Sequence, residues 1–201
     1  MKRFAVIGLG KFGFHAAQAL FEDGNEVVAI DSNKNKVQAI DPHATESLVM
    51  DATDKESLKS LGLENMDGVI VSTGTNISIS ILICLHLHEI QVKTILVKAL
   101  DDDHAEILKR VGATQIIHPE RDMAVRISKG LSRPNVLDFI PLSDEFDLVQ
   151  VEPPREFIEK SIGELNLRAK YSVHVIAIKE RLQDSFVLVP PASFVIKNDD
   201  I

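Results

Sequence analysis

Three glycines near the amino terminus have the residue type and spacing of a phosphate-binding turn. Gly8, Gly10 and Gly13 form the pattern G-x-G-x-x-G, which follows an apolar run at 4–8 and precedes a helical pattern. In that setting the first glycine allows a tight turn, the second lets a pyrophosphate approach the backbone, and the third lets the helix pack closely on the strand. The N–H groups at the start of the helix then point at the phosphates. The motif therefore predicts nucleotide binding.

An acidic residue follows the next apolar run and suits the ribose of the same ligand. The run at 26–30 ends at Asp31, whose carboxylate can accept hydrogen bonds from a ribose diol. That diol is free in ATP, ADP and NAD(H) but not in NADP, so Asp31 disfavours NADP alone. The alternative interpretation is structural: the glycine turn serves helix–strand packing, and Asp31 caps the next helix.

Strands and helices alternate six times, and this order determines where the polar residues must lie. The alternation predicts an α/β fold of the Rossmann type, with a doubly wound six-stranded parallel sheet. Right-handed crossovers and the early glycine motif favour the strand order 3-2-1-4-5-6. The predicted strands are 4–8, 26–31, 47–50, 68–72, 94–97 and 115–118, and the predicted helices are 14–22, 32–40, 55–61, 76–89, 102–111 and 119–131.

Polar groups stand at the ends of these strands. Because the carboxyl ends of parallel strands meet at one edge, we expect the groups to line one crevice beside the first and fourth strands. The groups are Asp31, Asp51, Ser72–Thr73, Lys98 and His118–Glu120. Glu120 fits two roles there. Either it binds a divalent cation that bridges it to the phosphates, or it is an acidic residue that stabilises the start of the helix after Pro119.

The pattern changes after the segment Ser132-Arg133-Pro134-Asn135. Strands are predicted at 147–151, 173–178 and 186–189, with a short helix at 161–167. We therefore expect a nucleotide-binding domain at 1–133 and a small α+β domain at 134–201. The second domain is close to the lower size limit for independent stability.

Composition excludes several classes of function. The chain has 201 residues and a formal net charge of −8, so a general affinity for nucleic acid or anionic membranes is not expected. No apolar run reaches the length of a membrane span. The single cysteine, Cys84, rules out an intrachain disulfide and multi-cysteine zinc sites, and the 7 histidines show no metal-ligand spacing. These features favour a cytoplasmic protein.

Several motifs together resemble the RCK family, the regulators of potassium conductance, and in particular its KtrA and TrkA types. The motifs are FAVIGLGKFG, AID followed by Asn33 and Lys36, MDAT, VSTGTN, HPERDMA, and the tail segment IGELNLRAKYSVHVIAIKE with the later double proline. The resemblance covers essentially the whole chain. Its motifs from HPERDMA onward are more specific than the glycine turn.

The resemblance implies a gating subunit and not an enzyme. RCK proteins form dimers that assemble into an octameric ring under the cytoplasmic face of a membrane potassium channel or transporter subunit, such as the KtrB or TrkH type. They bind ATP, ADP or NAD(H) in the glycine-motif crevice, and the identity of the nucleotide changes the shape of the ring. In some members the C-terminal domains pair and bind cyclic di-AMP.

The resemblance also implies which residues line the nucleotide site. The matching positions and their immediate neighbours are Gly8, Gly10, Lys11, Phe12, Gly13, Asp31, Ser32, Asn33, Lys36, Asp51, Ala52, Thr53, Ser72, Thr73, Gly74 and Asn76. Lys98 and Glu120 are placed toward the terminal phosphate. The family match favours a divalent cation at Glu120.

The chain departs from the family pattern at two places. Lys11 stands where the KtrA pattern commonly has arginine, so the charge is kept and the bidentate fork is lost. Strong discrimination between ATP and ADP is therefore not expected. The acidic turn at 198–201 normally leads into a final apolar strand, and we expect that strand to be missing from the C-terminal domain.

An NAD-dependent oxidoreductase is the alternative function. Such an enzyme needs a substrate pocket facing the nicotinamide, with an acid or base and an anion clamp. The segment after Pro134 is small for a substrate domain and offers no such cluster, which favours the regulatory function. Tight binding of adenine nucleotides without turnover would distinguish the regulatory function from the oxidoreductase.

Overall fold

Six parallel strands form one sheet in the first of two compact units. The computed structural model describes residues 1–74, 76–132, 135–143, 146–182 and 184–201, and the units are Met1–Glu120 and Arg121–Ile201. The strands are β1 (Arg3–Ile7), β2 (Glu26–Asp31), β3 (Glu46–Val49), β4 (Gly68–Val71), β5 (Ile95–Lys98) and β6 (Gln115–Ile117). Their order is β3-β2-β1-β4-β5-β6, which confirms the predicted topology. The predicted domain boundary, between Arg133 and Pro134, lies outside the described residues.

A helix follows each of these six strands. The helices are α1 (Lys11–Glu22), α2 (Lys34–Ile40), α3 (Lys55–Ser60), α4 (Ile77–Glu89), α5 (Asp102–Arg110) and α6 (Pro119–Ser132). Side chains cap the amino ends of α2, α3, α4 and α5. The capping residues Asn33, Asp54, Asn76 and Asp101 each accept a hydrogen bond from a backbone N–H of the first turn. In the described part of the chain, no helix has the length and apolarity that crossing a bilayer requires.

Successive residues of the central strand enter two cores, one on each face of the sheet. Ala5 and Ile7 of β1 belong to the core that includes residues of α3, α4 and α5, whereas Val6 belongs to the core of α1 and α2. A strand covered on both faces is apolar along its whole length, as the sequence pattern of β1 predicts. Because both faces of the sheet are covered, a ligand has access at the ends of the strands.

The described residues of the second unit include most of α6, two antiparallel hairpins and two short helices, as the α+β prediction requires. The hairpins pair β7 (Val136–Pro141) with β8 (Asp147–Val151) and β9 (Ala177–Glu180) with β10 (Ser185–Leu188), and the helices are α7 (Ile162–Leu165) and α8 (Leu167–Tyr171). The predicted strand at 173–178 is wrong in position, because pairing begins at Ala177 and both Val173 and Ile176 are exposed. A pattern of alternating apolar residues does not specify which of them find a partner strand.

A buried histidine links α4 to α5 across 24 residues of sequence. His104 is 2% exposed, its Nε2 lies 2.9 Å from the hydroxyl oxygen of Ser80, and its Nδ1 accepts the N–H of Leu100 at 3.2 Å. Burial lowers the pKa of His104 below its usual 6.5; Asp101 opposes this shift and His118 adds to it. The ring is therefore neutral at pH 7.

The lowered pKa of His104 predicts that the free energy of unfolding falls in mild acid. The unfolded chain binds a proton at His104 with the ordinary pKa of 6.5, whereas the folded chain binds it only at lower pH. The contribution to stability is therefore complete above pH 6.5 and is lost as the pH falls through the folded pKa. Urea denaturation followed by circular dichroism between about pH 7.5 and about pH 5 measures it. His104→Asn should flatten the profile, and equal slopes in both proteins would contradict the assignment.

Candidate nucleotide-binding site

The glycine motif forms the turn between β1 and α1, and its glycines have different surroundings. Gly8 has a φ of +94°, and a Cβ on it would lie 2.3 Å from the carbonyl oxygen of Ser72. A Cβ on Gly13 would lie 1.9 Å from the carbonyl oxygen of Gly8. A Cβ on Gly10 would have no heavy atom within 4 Å. Packing therefore accounts for the first and third glycines, whereas the second leaves the space that a pyrophosphate needs.

Asp31 is buried at the end of β2, where protein donors hold its carboxylate. Its Oδ2 accepts the N–H of Leu9 at 2.7 Å and the ammonium of Lys36 at 3.1 Å, and its Oδ1 accepts the N–H of Asn33 at 2.8 Å. The cap of α2 is Asn33, which accepts the N–H of Asn35, so Asp31 is not the helix cap. A carboxylate has about four acceptor positions, so one position, on Oδ1, is left that these three donors do not use.

The contact between Leu9 and Asp31 is one that the sequence does not predict. The donor is a backbone N–H, which has no side-chain signature, and the side chain of Leu9 is buried in the core of α1 and α2. The contact joins the glycine turn to the end of β2. It therefore holds the turn predicted to bind phosphate and the carboxylate predicted to bind ribose at a fixed spacing.

The register of the sheet brings the ends of its strands to one edge. The N–H of Ser72 donates to the carbonyl of Ile7 at 2.7 Å, and the N–H of Met50 donates to the carbonyl of Asp31 at 3.1 Å. The N–H of Ala99 donates to the carbonyl of Ile117 at 2.9 Å. The predicted site residues at strand ends or within three residues after them are thereby placed along this edge: Gly8, Asp31, Ser32, Asp51, Ala52, Ser72, Thr73 and Lys98.

Asp51 is part of a short turn after β3. One oxygen of its carboxylate accepts both the N–H of Thr53 at 3.0 Å and the hydroxyl of Thr53 at 2.8 Å, and these bonds lower the pKa of the carboxyl. Asp51 is exposed and Ala52 is buried. The carboxylate is therefore ionised at neutral pH, and its Oδ2 can accept a hydrogen bond from a ligand.

The loop between β4 and α4 contains a buried hydroxyl without a partner. Among the described residues, Oγ1 of Thr73 is buried and makes no hydrogen bond. Leaving such a group unpaired costs about 1–3 kcal/mol. Gly74 has a φ of +75°, and Asn76 caps α4 by accepting the N–H of Ile79 at 3.2 Å.

Lys98 and Glu120 form an ion pair between the end of β5 and the start of α6. The side chain of Lys98 is 13% exposed and that of Glu120 is 72% exposed. The hydrogen bond from Lys98 lowers the pKa of Glu120. Within the described residues there is no group of three or more His, Cys, Asp and Glu side chains that could hold a metal ion. The role of Glu120 as a metal ligand stays a prediction.

The remaining predicted residues lie near the two helix starts. Lys11 is exposed and Phe12 is half-buried in the first turn of α1, and Ser32 is exposed directly after β2. In the described part of the chain, the side chains of Lys11, Phe12 and Ser32 form no hydrogen bond or ion pair with the other predicted site residues. Their roles toward a ligand stay predictions.

Known proteins match this chain over most of its length. The TrkA-N domain matches residues 4–119. The chain is 44% identical over 200 residues to the Ktr system potassium uptake protein C of Bacillus subtilis, covering 100% of this chain and 90% of that protein. It is 43% identical over 199 residues to the Ktr system potassium uptake protein A of the same organism, covering 99% of this chain and 89% of that protein.

A solved structure described as the GsuK channel bound to NAD has the same fold. It matches with a TM-score of 0.69 at 18% identity, over 99% of this chain and 36% of that chain. At this identity the likeness supports the fold alone. The family assignment rests on the sequence matches, which confirm the resemblance found in the motifs. The chain therefore belongs to the TrkA-N family of RCK proteins, together with the Ktr potassium uptake proteins A and C.

Proposed function

We propose that this chain is the nucleotide-sensing regulatory subunit of a membrane potassium channel or transporter. Its relatives at 43% and 44% identity are Ktr potassium uptake proteins. One observation supports nucleotide binding, namely the arrangement of groups at the carboxyl ends of β1, β2 and β4. There the space over Gly10, the spare acceptor of Asp31 and the unpaired hydroxyl of Thr73 lie on neighbouring strand ends.

The ligand is an adenine nucleotide with a free ribose diol, namely ATP, ADP or NAD(H). A ribose hydroxyl donates to Oδ1 of Asp31, and the N–H groups at the start of α1 face the phosphates. Gly10 is the N-cap of α1 and provides no capping side chain, so these N–H groups are open to a ligand. A 2′-phosphate would repel the carboxylate of Asp31, which disfavours NADP.

Regulation follows from a difference in affinity between two shapes of the assembly. A nucleotide shifts the equilibrium toward the shape that binds it more tightly, and by no more than that difference. We place the subunit on the cytoplasmic face of the membrane, as dimers in an octameric homo-oligomeric ring, with a KtrB or TrkH type subunit as its partner. Lys11 keeps a positive charge near the phosphates but lacks the bidentate hydrogen-bonding geometry of an arginine. We therefore expect only a small difference in affinity between ATP and ADP.

Nucleotides with a free diol should raise the melting temperature of the purified protein. A ligand at about 100 times its Kd stabilises the folded state by about 2.7 kcal/mol. We expect shifts of several degrees with ATP, ADP and NADH, a smaller shift with NADPH, and no hydrolysis of ATP or oxidation of NADH. Differential scanning fluorimetry and a turnover assay measure these outcomes. No shift with any nucleotide would contradict the proposal, and hydride transfer with a hydroxy acid would support the oxidoreductase.

The same measurement of melting temperature tests two further proposed ligands. We propose that Glu120 binds a divalent cation together with the phosphates, in which case Mg²⁺ should enlarge the shift caused by ATP. Cyclic di-AMP is proposed for the second unit. That unit has an open cavity with lysine and aromatic side chains, lined by Glu156, Phe157, Lys160, Leu165, Lys170 and Tyr171.

A further inference from the structure

The hydrogen-bond partners of His104 determine which nitrogen carries its proton. The hydroxyl of Ser80 donates to the carbonyl of Ile77 at 2.9 Å, so its oxygen is free to accept from Nε2 of the histidine. The N–H of Leu100 can only donate, so Nδ1 must present a lone pair to it. The neutral ring with a proton on Nε2 satisfies both partners.

The two partners of His104 belong to segments that carry predicted site residues. Ser80 lies in the first turn of α4, whose N-cap is Asn76. Leu100 lies in the turn after β5, two residues beyond Lys98. His104 itself is fixed at the start of α5, because its N–H donates to Asp101 at 2.8 Å. One buried ring therefore connects the start of α4 to the turn that follows Lys98.

We propose that His104 is a positioning residue for the nucleotide site. It holds the start of α4, with its cap Asn76, at a set distance from the turn that directly follows Lys98, and so keeps both sides of the crevice in place for the ligand. The inference rests on the proposed nucleotide binding. It assigns a role to a side chain that does not itself touch the ligand.

Each link can be removed separately by substitution at position 104. In His104→Asn the amide oxygen stands near the place of Nδ1 and can accept from Leu100, while the link to Ser80 is cut. In His104→Gln the amide nitrogen stands near the place of Nε2 and can donate to Ser80, while the acceptor for Leu100 is lost. His104→Leu removes both links. Isothermal titration calorimetry with ATP and ADP gives the Kd of each variant.

The expected order of affinity follows from the number of links retained. His104→Leu should weaken nucleotide binding about tenfold, within the range seen for residues that act on a site without touching the ligand. His104→Asn and His104→Gln should lie between this variant and the wild type. Ser80→Ala should have the same nucleotide affinity as His104→Asn, because both substitutions remove the link between Ser80 and His104. For the same reason the double variant Ser80→Ala/His104→Asn should bind the nucleotide no more weakly than either single variant.

A hydrogen bond at the opposite edge of the sheet provides the matched control. The hydroxyl of Thr114 accepts the N–H of Ile95 at 2.8 Å, at the amino end of β5. Thr114→Val should lower the melting temperature without changing the Kd. If it changes the Kd as much as His104→Leu at equal loss of melting temperature, the effect is general destabilisation and the proposal is overturned.

The remaining outcomes separate this inference from the proposed function. Wild-type affinity in all the position 104 variants and in Ser80→Ala would overturn the positioning role while leaving nucleotide binding intact. Absence of nucleotide binding in the wild type would overturn both. If His104→Leu fails to fold, Ser80→Ala, which removes a single hydroxyl, still decides the question by its Kd.

Discussion

Replacing Gly13 with alanine is expected to lower the free energy of unfolding by about 3 kcal/mol, the upper end of what overpacking costs. The added Cβ would lie 1.9 Å from the carbonyl oxygen of Gly8, which is backbone and cannot rotate away. Both atoms belong to the junction of β1 and α1, so relief requires moving the helix off the central strand. Urea denaturation measures the change, and the melting temperature should fall by about 2–4 °C for each kcal/mol.

Gly10→Ala is the control for this substitution, because its Cβ meets no heavy atom within 4 Å. Gly10 has a φ of −71°, which alanine adopts without strain, so the ligand-free protein should lose little stability. Its methyl group occupies the space assigned to the pyrophosphate, and the shift in melting temperature caused by ATP or NADH should disappear. Wild-type stability of Gly13→Ala, or wild-type nucleotide binding by Gly10→Ala, would contradict the arrangement of the turn.

Asp31→Ala should weaken the binding of ATP, ADP and NAD alike, by about 1–3 kcal/mol in calorimetry, because a hydrogen bond to a charged group is lost. The ribose is common to all three ligands, so the loss should not depend on the phosphates. Unchanged affinity for any of them would remove Asp31 from the ribose site. Unequal losses would indicate that the ligands bind in different positions.

The substitution of Asp31 also leaves the N–H groups of Leu9 and Asn33 without their acceptor, so stability should fall as well. Asp67→Ala is the matched control. The carboxylate of Asp67 accepts the N–H of Arg3 at 2.8 Å, at the amino end of β1 and away from the crevice. This control should lose stability and keep its nucleotide affinity, which separates damage to the fold from damage to the site.

Local patterns in the sequence were sufficient for the first unit. Apolar runs, glycine turns and helix caps such as Asn33 and Asn76 report backbone geometry within a few residues, and alternation of strands and helices restricts the topology to few choices. The same patterns were insufficient in the second unit. Short antiparallel strands depend on which segment pairs with which, so β7 was missed and the strand before Ala177 was misplaced.

The sequence by itself determined the order of the sheet, the positions of Gly8 and Asp31 at its edge, and the family. Only the tertiary structure decided which groups meet there. Leu9 donates to Asp31 across 22 residues, Lys98 pairs with Glu120 across 22, and His104 reaches Ser80 across 24. The physical reason is that residue spacing encodes the path of one segment, whereas contacts between segments depend on strand register and helix packing, which form only when the whole unit folds.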